Sequence, residues 1–145
     1  MQSATASLAE ALDDRLAPLW RVLGRGGGGD GLSRTSLSVL ATLRDGGPHR
    51  VTRLADAEGV AQPSMTALVI RLERLGLVER GPDPDDARAV RVAITADGLA
   101  RLKRVREARA AALEARLAAL DPGERAALRA ALPALDSLIS GEASS

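Results

Sequence analysis

The 145-residue sequence has no cysteine, no phenylalanine and no tyrosine, and it holds one tryptophan, Trp20, and one histidine, His49. The missing cysteines exclude disulfides, thiolate metal sites and thiol-based redox sensing. A lone imidazole is too little to build a zinc centre. With almost no aromatic surface, the core must come from Leu, Val and Ala, a composition that favours helices over a sandwich. No apolar run approaches the roughly 20 residues of a membrane span, and the opening MQSATASLAEALDDRL, with its acids, is unlike a signal peptide. A cytoplasmic location without membrane attachment is expected.

Charge is equally uninformative in bulk. The net charge is +1, and between His49 and Ile94 seven arginines stand against seven acids, so neither the chain nor its central region carries a basic excess. Only the placement of particular side chains can point to a nucleic acid. Chemistry for an enzyme is also lacking, because no nucleophile sits with a base and no paired carboxylates fit a cleft. Asp83, Asp85 and Asp86 suit turns better than metal ligation, and no cofactor is expected.

What is present is helical punctuation. The length suits one compact domain. From Ser7 to Leu23, Leu8, Leu12, Leu16, Leu19, Trp20 and Leu23 recur at steps of three and four, which predicts an amphipathic helix. Glycines from Gly24 to Gly29 should end it; without a Walker lysine or a preceding strand, GRGGGGDG reads as a linker rather than a phosphate loop. Ser33 is suited to cap a second helix carrying Leu37, Leu40 and Leu43, closing at Gly46-Gly47-Pro48. An extended piece follows around Pro48 to Val51. Thr52 is expected to cap a third helix ending at Gly59.

A fourth helix is predicted over Gln62 to Leu75, with Pro63 tolerated in its first turn. At 100° per residue Met65, Leu68, Val69 and Leu72 point to the core, leaving Pro63, Thr66, Ala67, Ile70, Arg71 and Arg74 outward. LVERG and VRVAIT then alternate as two strands around the tip PDPDDA. This order of parts, two short helices with a tight turn followed by a hairpin, is that of a winged helix-turn-helix. Thr95 is placed to cap a fifth helix reaching about Leu120. Asp121, Pro122 and Glu124 have the spacing of a capping box for a last helix bearing Leu128, Leu132, Leu135 and Leu138, with Pro133 expected to kink it. The expected fold is therefore mainly α with a small β-hairpin wing. Residues 1–31 form a dimerisation helix and linker, 32–98 the winged region and 99–145 further dimerisation helices, all within one compact domain.

A helix with that outward face fits the major groove of double-stranded DNA. Arg71 and Arg74 suit guanine or phosphate, Thr66 either, and Ala67 or Ile70 a thymine methyl, while Gln62 and Ser64 can donate to phosphates at the helix start. An ordinary solvated face would look the same. A wing reaches the adjacent minor groove, where Arg88 would meet negative potential with Asp86 holding its guanidinium; a plain hairpin ion pair is the equal alternative.

The segment GVAQPSMTALVIRLERLGLVERGPDPDDARAVRVAITADG resembles the MarR family of bacterial transcriptional regulators in its GLVER, its Asp86-x-Arg88 wing signature and its strand ending IT-x-x-G. The likeness extends more loosely from Leu32 to Leu102. It implies a homodimeric regulator, a repressor by preference, whose DNA contacts are Pro63, Ser64, Thr66, Ala67, Arg71, Arg74 and Arg88, with Asp86 orienting Arg88. Ala87 and Ile70 depart from the usual basic and polar residues. Long Leu and Ala stripes at both ends, more than one small winged domain can cover, also point to a homodimer. The family resemblance further implies a small aromatic or phenolic effector in a crevice beside the dimerisation helices. Trp20, Arg15, Arg21 and His49 are its candidate walls, although Trp20 better suits the core at a helix-packing seam and His49 a loop. Arg101, Lys103, Arg104, Arg106 and Arg109 make the start of the fifth helix basic, as a solvated face or a phosphate contact. A winged-helix adaptor that binds protein instead of specific DNA is the alternative function.

Overall fold

Helix boundaries follow the caps written into the chain. The computed structural model describes residues 2–27 and 31–141. In chain order the elements are α1 (Gln2–Gly27), α2 (Arg34–Gly46), β1 (His49–Arg50), α3 (Val51–Glu58), α4 (Gln62–Arg74), β2 (Val78–Pro82), β3 (Val90–Ile94), α5 (Ala96–Ala118) and α6 (Pro122–Ser140). Ser33 caps α2, its hydroxyl accepting from the Ser36 N–H at 3.1 Å. Gly59 stops α3 at φ 63°, ψ 33°, a left-handed conformation that glycine adopts without the steric penalty of a β-carbon. There the Val60 N–H reaches Ala55 O and the Gly59 N–H reaches Asp56 O, the paired bonds of a Schellman stop. Two expectations are corrected. Thr52 does not cap α3, because Arg50 occupies that position in extended backbone belonging to β1, with no side-chain cap. Nor does α1 stop at the first glycine: it spans Gln2–Gly27. Each helical glycine costs about 1 kcal/mol relative to alanine but still supplies its N–H to the helix. The rest of the expected linker, residues 28–30, lies outside the described residues.

The strands form one antiparallel sheet in the order β1-β3-β2. The hairpin register pairs Val78 with Ile94, Arg80 with Val92 and Pro82 with Val90. The extended piece expected near Pro48 is realised as β1, with His49 opposite Val92 and Arg50 opposite Arg91. This small third strand ties the hairpin to the start of α3.

The chain divides into two compact units, Met1–Arg109 and Ala110–Ser145. In the first, Val39, Leu40 and Leu43 of α2 meet Leu54 and Ala55 of α3, Met65, Val69 and Leu72 of α4, then Leu77, Val78, Val92 and Leu102 in a single aliphatic cluster. Each fully buried Leu or Met contributes about 1.5–3 kcal/mol. Ala55 is 3% exposed, and its small side chain permits close approach of neighbouring helices. Leu37 and Leu68 pack at the margin of this core. In the second unit α6 begins with the capping box foreseen from sequence, Asp121 Oδ1 accepting from the Glu124 N–H and Glu124 Oε2 from the Asp121 N–H. Pro133 lies inside α6, which continues to Ser140. Leu128, Leu132, Leu135 and Leu138 along α6, like Leu8, Leu12, Leu16 and Leu19 along α1, are exposed in the single chain.

Candidate nucleic-acid interface

The aliphatic cluster fixes the rotation of α4 about its axis. With Met65, Val69 and Leu72 at 0–1% exposure, the 3.6-residue period turns Gln62, Pro63, Ser64, Thr66, Ala67, Arg71 and Arg74 outward, and all seven are exposed. Ile70 is half-buried, an intermediate position between core and outward face. Arg71 is also drawn sideways, its Nη2 lying 3.5 Å from the hydroxyl of the fully buried Ser36 on α2. At the start of α4 no side chain caps the helix: Ala61 occupies the N-cap position, and Pro63 lies in the first turn. Backbone N–H groups there are left for water or for an anion.

Beside α4 stands the wing. A cleft of about 380 Å³ between them is lined by Gln62 and Thr66 from α4, Asp86 and Arg88 from the wing, and Arg50 and Thr52 from the start of α3, among others. Four residues singled out from the sequence thus border one cleft. Arg80 on β2 bonds Glu73 on α4, with Nε to Oε2 at 2.8 Å and Nη2 at 2.7 Å, which couples the wing to the helix directly.

The wing tip is built differently from expectation. Asp86 does not grip the Arg88 guanidinium; its Oδ1 accepts from the backbone N–H of Arg88 at 3.0 Å, and the Ala89 N–H donates to Asp86 O at 2.9 Å. Two residues of separation suit an Asx turn, in which a carboxylate bonds its own backbone nearby. The exposed Arg88 side chain has no hydrogen bond or ion pair among the described residues. The bidentate pair lies elsewhere. Arg50 Nε and Nη2 donate to Asp83 Oδ2 and Oδ1 at 2.8 and 3.0 Å, and Asp83 Oδ1 also accepts from the N–H groups of Asp85 at 2.8 Å and Asp86 at 3.2 Å. The Arg50 guanidinium first, then the Asp85 N–H, hold the Asp83 carboxyl well below the usual carboxylate range, and the same bond raises Arg50. Sequence reading identified Asp83 as a turn-former and gave Arg50 no role, because their 33-residue separation hides the contact.

The expected effector residues do not gather. Trp20 is 40% exposed, outside the core, and borders a groove of about 320 Å³ with Arg34, Arg44, Arg106 and Arg109 over an apolar floor that includes Leu37 and Leu102. Arg34 and Arg109 lie over the indole with guanidinium carbons 5.9 and 5.6 Å from its centroid, within cation–π range. Arg15, Arg21 and His49 do not border it. Arg15 bonds the carbonyl of Ala11 one turn back along α1, Arg21 is exposed on α1, and His49 is held beside Gly46 by its bond to Gly47 O. Helical phase explains the difference for α1: Arg21 is one residue, roughly 100°, from Trp20. The arginines actually present come from α2 and α5, which no local pattern links.

A three-helix core whose last helix, α4, turns one face outward beside an adjoining hairpin defines a winged helix-turn-helix protein. The MarR family model matches residues 32–90. An uncharacterised HTH-type transcriptional regulator of Mycobacterium bovis is 39% identical over 94 residues, 65% of this chain and 66% of that protein. The transcriptional repressor NicR of Pseudomonas putida is 34% identical over 94 residues, 65% of this chain and 60% of its own. A solved structure assigned as a transcriptional regulator from Pseudomonas aeruginosa PA01 superposes with a TM-score of 0.80 at 33% identity, covering 94% of this chain and 96% of the other. The chain belongs to the MarR family of transcriptional regulators. Among the described residues no helix is long and apolar enough to cross a membrane.

Proposed function

We propose that the protein is a homodimeric repressor that binds a pseudo-palindromic operator and is released by a small anionic aromatic ligand. What carries this reading is the cleft itself: the outward face of α4 and the unpaired Arg88 side chain border one open channel, the arrangement needed for one element in the major groove and the other in the neighbouring minor groove. Gln62, Pro63, Ser64, Thr66, Ala67, Arg71 and Arg74 contact bases and phosphates from α4, Arg88 enters the minor groove, and Asp86 orients it through the backbone. Repression follows the likeness to NicR, which is named a repressor. The exposed leucine stripes of α1 and α6 supply dimer contacts, and dimerisation presents two copies of α4 to half-sites about one helical turn apart.

The effector would occupy the groove beside Trp20, where an indole face and several guanidiniums suit a planar carboxylate or phenolate. Binding there changes operator affinity only so far as the ligand prefers one arrangement of the dimer. The central test is the variant Arg88→Ala, assayed by gel shift at fixed salt on the promoter fragment upstream of its own gene. Operator affinity is expected to fall by about 1–3 kcal/mol with the dimer intact; equal retention of variant and parent would overturn the wing assignment.

A further inference from the structure

The Asp83 carboxylate is nearly saturated. Its two oxygens accept two guanidinium bonds from Arg50 and two backbone N–H groups from the wing loop, and the residue is 7% exposed. Arg50 is half-exposed and anchored, since it forms the last residue of β1 and the N-cap of α3. Asp83 begins the loop directly after β2, and its own N–H donates to Ala89 O at 3.0 Å, closing the loop at its base. A relay of bonds therefore runs from the first helix of the DNA-binding pair, through Asp83, to the backbone of Asp86, and on to the Arg88 N–H. Two oppositely charged forks that meet in planar, bidentate geometry constrain direction as well as distance.

We propose that Arg50 and Asp83 are positioning residues for the wing, which fix the height and direction from which Arg88 approaches DNA. This rests on the reading of Arg88 as a DNA contact. Neither residue needs to touch DNA for the effect, and that gives the idea a signed consequence. Asp83 is an acid in a loop facing a polyanion, so its charge alone opposes binding, and electrostatics predicts tighter binding when it is neutralised. A positioning role predicts the reverse. Asp83→Asn keeps the side chain's shape and one carbonyl acceptor while losing the doubly accepting carboxylate on which the fork depends.

The experiment uses the full chain and a duplex that it selects from random DNA. Asp83→Asn and Arg50→Ala are each measured by fluorescence anisotropy at two salt concentrations, alone and combined with Arg88→Ala, and amide hydrogen exchange is followed at Asp85, Asp86 and Ala89. The expected result is that each single variant weakens specific binding by about fivefold to twentyfold, that these amides exchange faster than in the parent, and that neither variant weakens binding further once Arg88 is alanine. Tighter binding by Asp83→Asn overturns the proposal. So does an Arg50→Ala loss that persists unchanged in the Arg88→Ala background, which would make Arg50 an independent phosphate contact. Unchanged exchange at the three amides overturns the ordering of the loop irrespective of any DNA result. If Arg88→Ala alone costs nothing, the DNA reading of the wing fails and takes the positioning role with it, whereas faster exchange would still identify the pair as the loop's clamp.

Discussion

Gly98 lies against the carbonyl of Leu77 so closely that a β-carbon on Gly98 would meet that oxygen at 2.1 Å and Ile94 Cγ1 at 2.7 Å. The same joint is sewn by Thr95, whose N–H donates to Leu77 O at 3.1 Å while its hydroxyl donates to Gly76 O at 2.6 Å and accepts from the Gly98 N–H at 3.0 Å. The first turn of α5 is thus pressed onto the strand entering the wing, and IT-x-x-G becomes a steric statement: a helix cap followed three residues later by the only side chain small enough. Gly98→Ala is therefore expected to destabilise the chain by about 1–3 kcal/mol through overpacking against backbone. Helix propensity alone predicts a gain approaching 1 kcal/mol, so urea unfolding distinguishes the two by sign.

The leucines of α6 offer a second test. Leu132 and Leu135 are 55% and 42% exposed in the single chain, so covering the half of each still in water across a dimer would contribute about 1 kcal/mol apiece. The double variant Leu132→Glu/Leu135→Glu is expected to sediment as a monomer with helical content retained, and to lose operator binding by losing the paired half-site. A variant that still sediments as a dimer would rule out α6 as a principal contact.

Trp20 provides a reporter for the third, because it is the sole tryptophan. Titration with benzoate-like anions is expected to change its emission saturably. Arg109→Ala, which removes the guanidinium 5.6 Å from the ring centroid, should weaken that response by about tenfold, in line with the loss of one charge-assisted contact. Arg21→Ala should leave it unchanged. Equal responses in parent and Arg109→Ala would move the effector site away from this groove.

Residues close in sequence were the legible ones. The outward face of α4 follows from Met65, Val69 and Leu72 because a helix converts spacing into direction, and Gly59, Ser33 and Asp121 mark helix ends because their backbone or side-chain chemistry acts within a few residues. The hairpin pairing of Val78–Pro82 with Val90–Ile94 was accessible from alternation and turn residues. The reach of α1 past Gly24 was not, because a modest propensity penalty weakens a helix without forbidding it.

At the wing the division is sharpest. Sequence alone determined that Asp86 and Arg88 sit at a hairpin tip beside a helix carrying Thr66, Arg71 and Arg74, since caps, period and turns are local. Tertiary structure decided which carboxylate holds what: Asp86 bonds backbone, while Asp83 takes the Arg50 fork across 33 positions. It likewise brought Arg34 and Arg109 over Trp20 and left Arg15, Arg21 and His49 apart from that groove. Such partnerships depend on how packed elements meet in space, and a long sequence separation carries no local periodicity from which to read them.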